Sequence, residues 1–446
     1  MSNNLLPFHY RSILGIALPM MVSGFIQSIV LITNSAFISR YSVDGFDAVG
    51  NAGLVYITFF IMLMGMSDGA QILMARRIGE ERVNAVGRQL LAIWMVLAVM
   101  AVLFFVALKG LVPDFIHHYS LNKTVANLQV DYLAYRSFGL FFSFISLGLQ
   151  AFYLAQGRTG VVLISALVTA LSNVLLDYLL IFGVGSFPEM GVAGAGLGAC
   201  ISEGFSMLFL VCYTRFSKSN VSFQLLQHVK GMGTEIKELL RVGIPLMLQS
   251  FSALFTWTLF FTWIEQMGQF ELTVSQNIRS LYFLAFVPIW GFASTTKTYI
   301  SQYIGAEKQK DLPKIQRRIQ LLTLLFLALF FHGAILYPEA LIGIINPHQE
   351  YLATSCAILQ LIIGSVFIYG FVSVYFQTIH GSGNTLASMA IEIISVLVYM
   401  GFVYLFIKVL HFEIYYVWTV EYIYFGTMGL LSMGYLYFFK WNQKKI

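Results

Sequence analysis

Twelve apolar runs, each long enough to cross a bilayer, decide what this chain can fold into. They cover residues 12–38, 48–75, 89–112, 131–155, 161–183, 191–214, 241–264, 274–303, 319–340, 354–379, 385–408 and 413–439. A helix needs roughly 20 residues to span the hydrocarbon core, and each run supplies that length. The runs are continuously apolar and do not alternate, so they predict helices, not the strands of a barrel. What remains cannot coat a soluble domain: 58% of the chain is hydrophobic and 11% charged, against about 25% charged in ordinary soluble domains. The expected fold class is an all-α polytopic membrane protein. The first run follows Arg11, is too long for a cleaved signal core and reads as a span.

The charges predict orientation. Arg76, Arg77, Arg82 and Arg88 follow the second run; Arg215, Lys218, Lys230, Lys237 and Arg241 follow the sixth. Lys308, Lys310, Lys314, Arg317 and Arg318 follow the eighth, and Lys440, Lys444 and Lys445 follow the last. With Arg11 and Arg158, these place most of the 26 basic residues on one side. Both termini are therefore expected in the cytoplasm, with the protein in the plasma (inner) membrane. The net charge of +5 is dispersed over short loops and does not suggest a nucleic-acid partner. Cys200, Cys212 and Cys356 show no metal or redox spacing and read as small apolar residues.

A repeat with a constant offset of 226 runs through the chain. It pairs Pro19 with Pro245, Asn51 with Asn277, Tyr56 with Tyr282 and Gly65 with Gly291. It also pairs Ile78-Gly79-x-Glu81 with Ile304-Gly305-x-Glu307, and Gly157-x-Thr159 with Gly383-x-Thr385. Each copy holds six runs, an even number, so the copies are expected as parallel repeats forming two six-helix bundles around a central cavity. The expected division is an N-terminal lobe over 1–214, a cytoplasmic linker over 215–240 and a C-terminal lobe over 241–446. Two such lobes suit rocking-type transport.

Within the fifth run, Asn173 and Asp177 lie four residues apart and so share one helix face. An acid inside a bilayer is a functional candidate by default, a carboxylate whose protonation or ion occupancy changes during transport. The bland alternative is an acid that only ties helices together. The repeat counterparts of Asn173 and Asp177 are Tyr399 and Val403. The pair is thus absent from the shared scaffold, which favours the functional reading.

Other polar residues in the runs are weighed the same way. Asp68 lies between Gly65 and Gly69, where helix packing and substrate contact are both open. Glu203, Glu392 and Glu421 are candidates for a substrate cavity or for structural pairs, and Glu265 reads as solvated. Arg136, Arg279 and Lys297 need partners and read as members of structural ion pairs. Tyr56, Tyr282 and Trp257 are candidate cavity rings that bind flat cations through their π faces.

Several stretches carry a family resemblance. They are Gly65-x-x-x-Gly69-Ala70-Gln71-Ile72-Leu73-x-Ala75-Arg76-Arg77-Ile78-Gly79, Gln156-Gly157-Arg158-Thr159 and Asn173-x-x-x-Asp177-Tyr178-Leu179-Leu180-Ile181-Phe182-Gly183. Met190-Gly191-Val192-Ala193-Gly194-Ala195 continues the last. Together they resemble the multidrug and toxic compound extrusion (MATE) family over the whole chain. The resemblance implies two six-helix bundles and export of organic cations or drugs driven by a proton or sodium gradient. It also implies a cation-coupling site at Asn173 and Asp177. Members with an acid in the first helix are matched here by Asn34, a family hydroxyl on the sixth helix by Ala199, and an acid after the seventh-helix proline by apolar residues near Ala253 and Leu254. One acid with two amides suits a proton better than sodium, which takes several oxygens, although sodium at Asp177 stays open. No cofactor is expected beyond the coupling ion.

The expected function is a secondary antiporter exchanging organic cations for protons or sodium. A lipid-linked saccharide flippase of similar architecture is the alternative. Its cargo carries phosphates and calls for a cationic cavity, whereas acids outnumber bases in and beside the runs. An enzyme is disfavoured because no nucleophile motif or metal-ligand spacing occurs. The expected partners are a small organic cation and the lipid bilayer, and nothing in the sequence requires more than a monomer.

Overall fold

In the computed structural model, which describes residues 5–120, 122–225 and 231–443, all twelve apolar runs are occupied by helix. No strand occurs among the described residues. Lys230, Lys444 and Lys445, used above for orientation, lie outside the described residues, as does the middle of the expected linker. Eight helices are long and apolar enough to cross a membrane alone, and ten if two bent pairs each form one span. Leu312–Phe331 and Val420–Phe438 occupy two further runs. The former opens with Lys314, Arg317 and Arg318 and the latter with Glu421, charges that lower their mean hydropathy.

The fourth run, expected as one helix, is two: Lys123–Arg136 and Gly139–Ala155, inclined at 49°. The eighth, Gln269–Gly305, bends by 40° between Tyr282 and Leu284. Pro288 explains why that bend is tolerated: it lacks an N–H, and its ring crowds the carbonyl four residues back, at Leu284.

The chain forms two compact units. One is Val22–Met247; the other joins Met1–Met21 to Leu248–Ile446. The change of unit falls inside two helices, Tyr10–Tyr41 and Gly233–Glu265, two residues after Pro19 and two after Pro245. Both crossing points are 226 residues apart, as the repeat requires.

The packing that holds these helix ends is itself repeated. In the first unit, Gly65 of Val43–Gly79 lies so close to the backbone of Leu246 and Met247 that a Cβ would overlap it. In the second unit, Gly291 meets Met21 and the carbonyl of Ala17 in the same way. Only a residue without a side chain permits such approach.

The repeat also recurs in the turns. Glu81 and Glu307 take left-handed φ angles of 59° and 57°. The following amides close back onto Arg77 (2.9 Å) and Tyr303 (2.9 Å), satisfying carbonyls that a helix end leaves open.

The second unit buries an aromatic core around Phe260, Tyr282, Tyr399 and Trp418. Residues 6–8 of this unit are tied down through their carbonyls. The carbonyls of Leu6, Pro7 and Phe8 accept from Tyr303 (2.9 Å), Tyr299 (2.8 Å) and Arg318 (2.8 Å).

Candidate functional site

In the first unit, three expected site residues form a ladder. Asn34 on Tyr10–Tyr41 donates to Asn173 Oδ1 at 2.8 Å, and Asn173 donates to Asp177 Oδ1 at 3.2 Å. The second bond follows from helical spacing on Thr159–Phe182; the first depends on how two helices are rotated against each other. Asp177 is fully buried, and Asn173 is 3% exposed. Asp177 Oδ2 and Asn34 Oδ1 have no hydrogen-bond partner among the described residues. The ladder therefore supplies one donor to one carboxylate oxygen and leaves an oxygen open at each end.

The sixth helix, Gly191–Phe216, closes this site with an absence. A Cβ at Gly198 would collide with Asp177 Oδ1 and lie 3.3 Å from the Asp177 amide. No arginine or lysine pairs with Asp177 among the described residues. An ionised carboxylate buried without a partner of opposite charge costs roughly several kcal/mol. The arrangement is chemically suited to hold a proton or a small cation on the open oxygen, and to release it when the surroundings change.

A second cluster in the same unit joins Glu203 to Arg136 at 2.5 Å. Ser143 donates to Glu203 Oε2 at 2.9 Å and Tyr56 at 3.5 Å, while the Arg136 guanidinium lies 3.9 Å from the Tyr56 ring centre. Arg136 thus has the acidic partner its position demanded. Asp68 is half-buried on the second helix, one position after Ser67, whose hydroxyl donates to the Leu147 carbonyl at 2.9 Å.

In the second unit, Glu421 accepts from Tyr282 at 2.9 Å and from Tyr399 at 3.1 Å, one on each oxygen. Glu392 accepts from Tyr424 at 2.6 Å. Both acids are almost wholly buried. Trp257 stacks on Tyr282, ring centres 6.0 Å apart. Sequence reasoning did not single out Tyr399 or Tyr424 as site residues, yet they occupy the repeat positions of Asn173 and Gly198. That correspondence was the available signal. At the remaining ladder positions this unit has Phe260 and Val403, so one scaffold holds a polar ladder in one copy and an apolar core in the other.

A model of the MatE family matches residues 19–179 and again 245–405. The chain belongs to the MatE family. The two matches repeat at the same offset as the paired residues. This MatE chain is 28% identical, over 86% of its length and 83% of the relative's, to a probable multidrug resistance protein NorM of Thermotoga maritima. It is 21% identical over 99% of its length to the probable multidrug resistance protein YoeA of Bacillus subtilis, covering 96% of that protein. Its fold is that of solved MATE transporters. An outward-facing conformation of a multidrug resistance MATE family transporter matches with TM-score 0.87 at 18% identity, covering 96% of this chain and 94% of that one. A MOP superfamily transporter from Pyrococcus furiosus matches with TM-score 0.86 at 18% identity, covering 97% and 96%. The protein is thus a multi-pass membrane protein of a transporter family with a twelve-helix, two-bundle fold.

Proposed function

We propose that this MatE chain is a secondary antiporter that exports organic cations in exchange for protons. The Asn34–Asn173–Asp177 ladder carries the reading: a fully buried carboxylate with one donor and one open oxygen. Sodium is the second candidate for the same oxygen. Protonation needs no further ligands, whereas sodium would require oxygens beyond those the ladder supplies. The cycle is alternating access by rocking of the two lobes, in the inner membrane with both termini cytoplasmic. The names of the two bacterial relatives support a multidrug cargo.

Asp177 would bind the coupling ion in one state of the cycle and lose it in another, and the amides hold its orientation. Asp177→Asn tests this directly, because the carboxamide keeps the acceptor for Asn173 but carries no titrating group. Ethidium efflux from cells, with and without a collapsed proton gradient, gives the readout. Gradient-dependent efflux is expected in the natural protein and lost in the variant at equal membrane abundance. Intact drug-dependent proton movement in Asp177→Asn vesicles would refute the assignment.

A further inference from the structure

The second unit contains a cleft of about 420 Å³ where Leu312–Phe331 meets the start of Tyr10–Tyr41. Three cations line it, Lys314, Arg317 and Arg318, together with Tyr10, Leu321 and Leu324. None of its lining residues is acidic, and no carboxylate pairs with these cations among the described residues. Three like charges gathered without a counterion repel one another, and an anion placed among them removes that repulsion.

The cleft is also built, not merely charged. Arg318 donates to the Phe8 carbonyl at 2.8 Å and lies 5.0 Å from the Phe8 ring and 5.4 Å from the Tyr10 ring. Its guanidinium is held in place before any ligand arrives. Lys314, Arg317 and Leu321 follow at spacings of three and four, so they share one helix face. Leu325 and Leu329 continue that face, and all three leucines are exposed by more than half.

The order of groups identifies the ligand. Cations stand at the polar end of a membrane span, and an apolar stripe runs from them along the same helix. A free phosphate would use only the first part; a molecule with a charged head and a hydrocarbon tail uses both. We propose that this cleft binds the phosphate of an anionic phospholipid, whose acyl chain lies along Leu321, Leu325 and Leu329. The proposal does not depend on which cargo or coupling ion the protein uses.

The test is native mass spectrometry of the full chain purified in detergent. Phosphatidylglycerol is titrated against phosphatidylcholine of the same acyl length, and glycerol phosphate serves as the soluble competitor. The double variant Lys314→Gln/Arg317→Gln changes two exposed side chains and should fold normally. Lys440→Gln, an exposed cation outside the cleft, is the control. Each basic residue at an anionic lipid surface is worth about fivefold in binding, so the double variant should lose the preference for phosphatidylglycerol by roughly 25-fold. The control should keep it. Equal binding of phosphatidylcholine to the natural protein, or an undiminished preference in the double variant, would overturn the proposal. Competition by glycerol phosphate at the same concentration as the lipid would overturn the lipid assignment and mark a site for soluble phosphates.

Discussion

Gly198→Ala is the most informative single change in this protein, because a lone methyl group probes the fit of Asp177 against the sixth helix. An alanine normally stabilises a helix by about 0.5–1 kcal/mol relative to glycine. Gly426, where an added Cβ would meet nothing within 4 Å, should show that gain. At Gly198 the methyl would strike Asp177 Oδ1 and press on backbone atoms at 3.3 and 3.4 Å. Either the two helices separate, an overpacking that costs about 1–3 kcal/mol, or the carboxylate swings away from Asn173. The second route breaks the 3.2 Å bond, and a hydrogen bond to a charged group is worth roughly 1.5–3 kcal/mol. Both routes predict a loss near 2 kcal/mol, so Gly198→Ala and Gly426→Ala should differ by about 2–4 kcal/mol.

The assay is unfolding of the purified protein in detergent, run as a double-mutant cycle with Asp177→Ala. Removing the carboxylate removes the collision and leaves only the backbone contacts. The penalty for Gly198→Ala should then shrink by at least about 1 kcal/mol, the coupling expected of groups in direct contact. Equal penalties in both backgrounds would show that the helices meet without the carboxylate between them, and Asp177 would have no place against the sixth helix. Efflux should fall in Gly198→Ala and stay at the natural level in Gly426→Ala.

Three further outcomes follow from the contacts. Tyr399→Phe and Tyr282→Phe each strip one donor from buried Glu421, and each should destabilise by about 1–3 kcal/mol, measured by thermal unfolding; two silent substitutions would show that Glu421 has other partners. Arg136→Gln leaves the part-buried Glu203 with only hydroxyl donors and should cost about 1–3 kcal/mol, with much of the loss restored by adding Glu203→Gln; a double variant as unstable as the single one would exclude the pair. Arg77 bridges Glu80 at 2.9 Å and Glu238 at 2.7 Å. Arg77→Ala should speed hydrogen exchange in residues 233–247 by about fivefold, the scale of a partly exposed ion pair, and unchanged exchange there would contradict a clamping role.

The membrane helices were legible because length and continuous apolarity are properties of one segment at a time. So was the i, i+4 relation between Asn173 and Asp177. The repeat was legible because proline, glycine and helix-ending turns report backbone conformation, and backbone conformation is what the two copies share. The partners of the acids within the helices were less accessible. Glu203 meets Arg136 across 67 positions, and Glu421 meets Tyr282 across 139. Such contacts depend on the rotation of each helix about its axis, which hydropathy does not fix when a helix is apolar all round. The break at Ser137 was hidden for a related reason: no proline or glycine pair marks it.

The crossings at Met21 and Met247 bear on how such a chain can be made. Each half of the repeat contributes its opening helical turns to the compact unit formed mainly by the other half. Severed between residues 225 and 231, the polypeptide would yield two fragments, neither of which contains a whole unit. Each would complete its own packing only by association with the other. A single-copy ancestor with the same contacts at Gly65 and Met21 would accordingly have been a swapped dimer, two identical chains exchanging their first turns. Duplication and fusion would then have made that exchange intramolecular, freeing the two copies to diverge, one towards Asn173 and Asp177, the other towards Tyr399 and Val403.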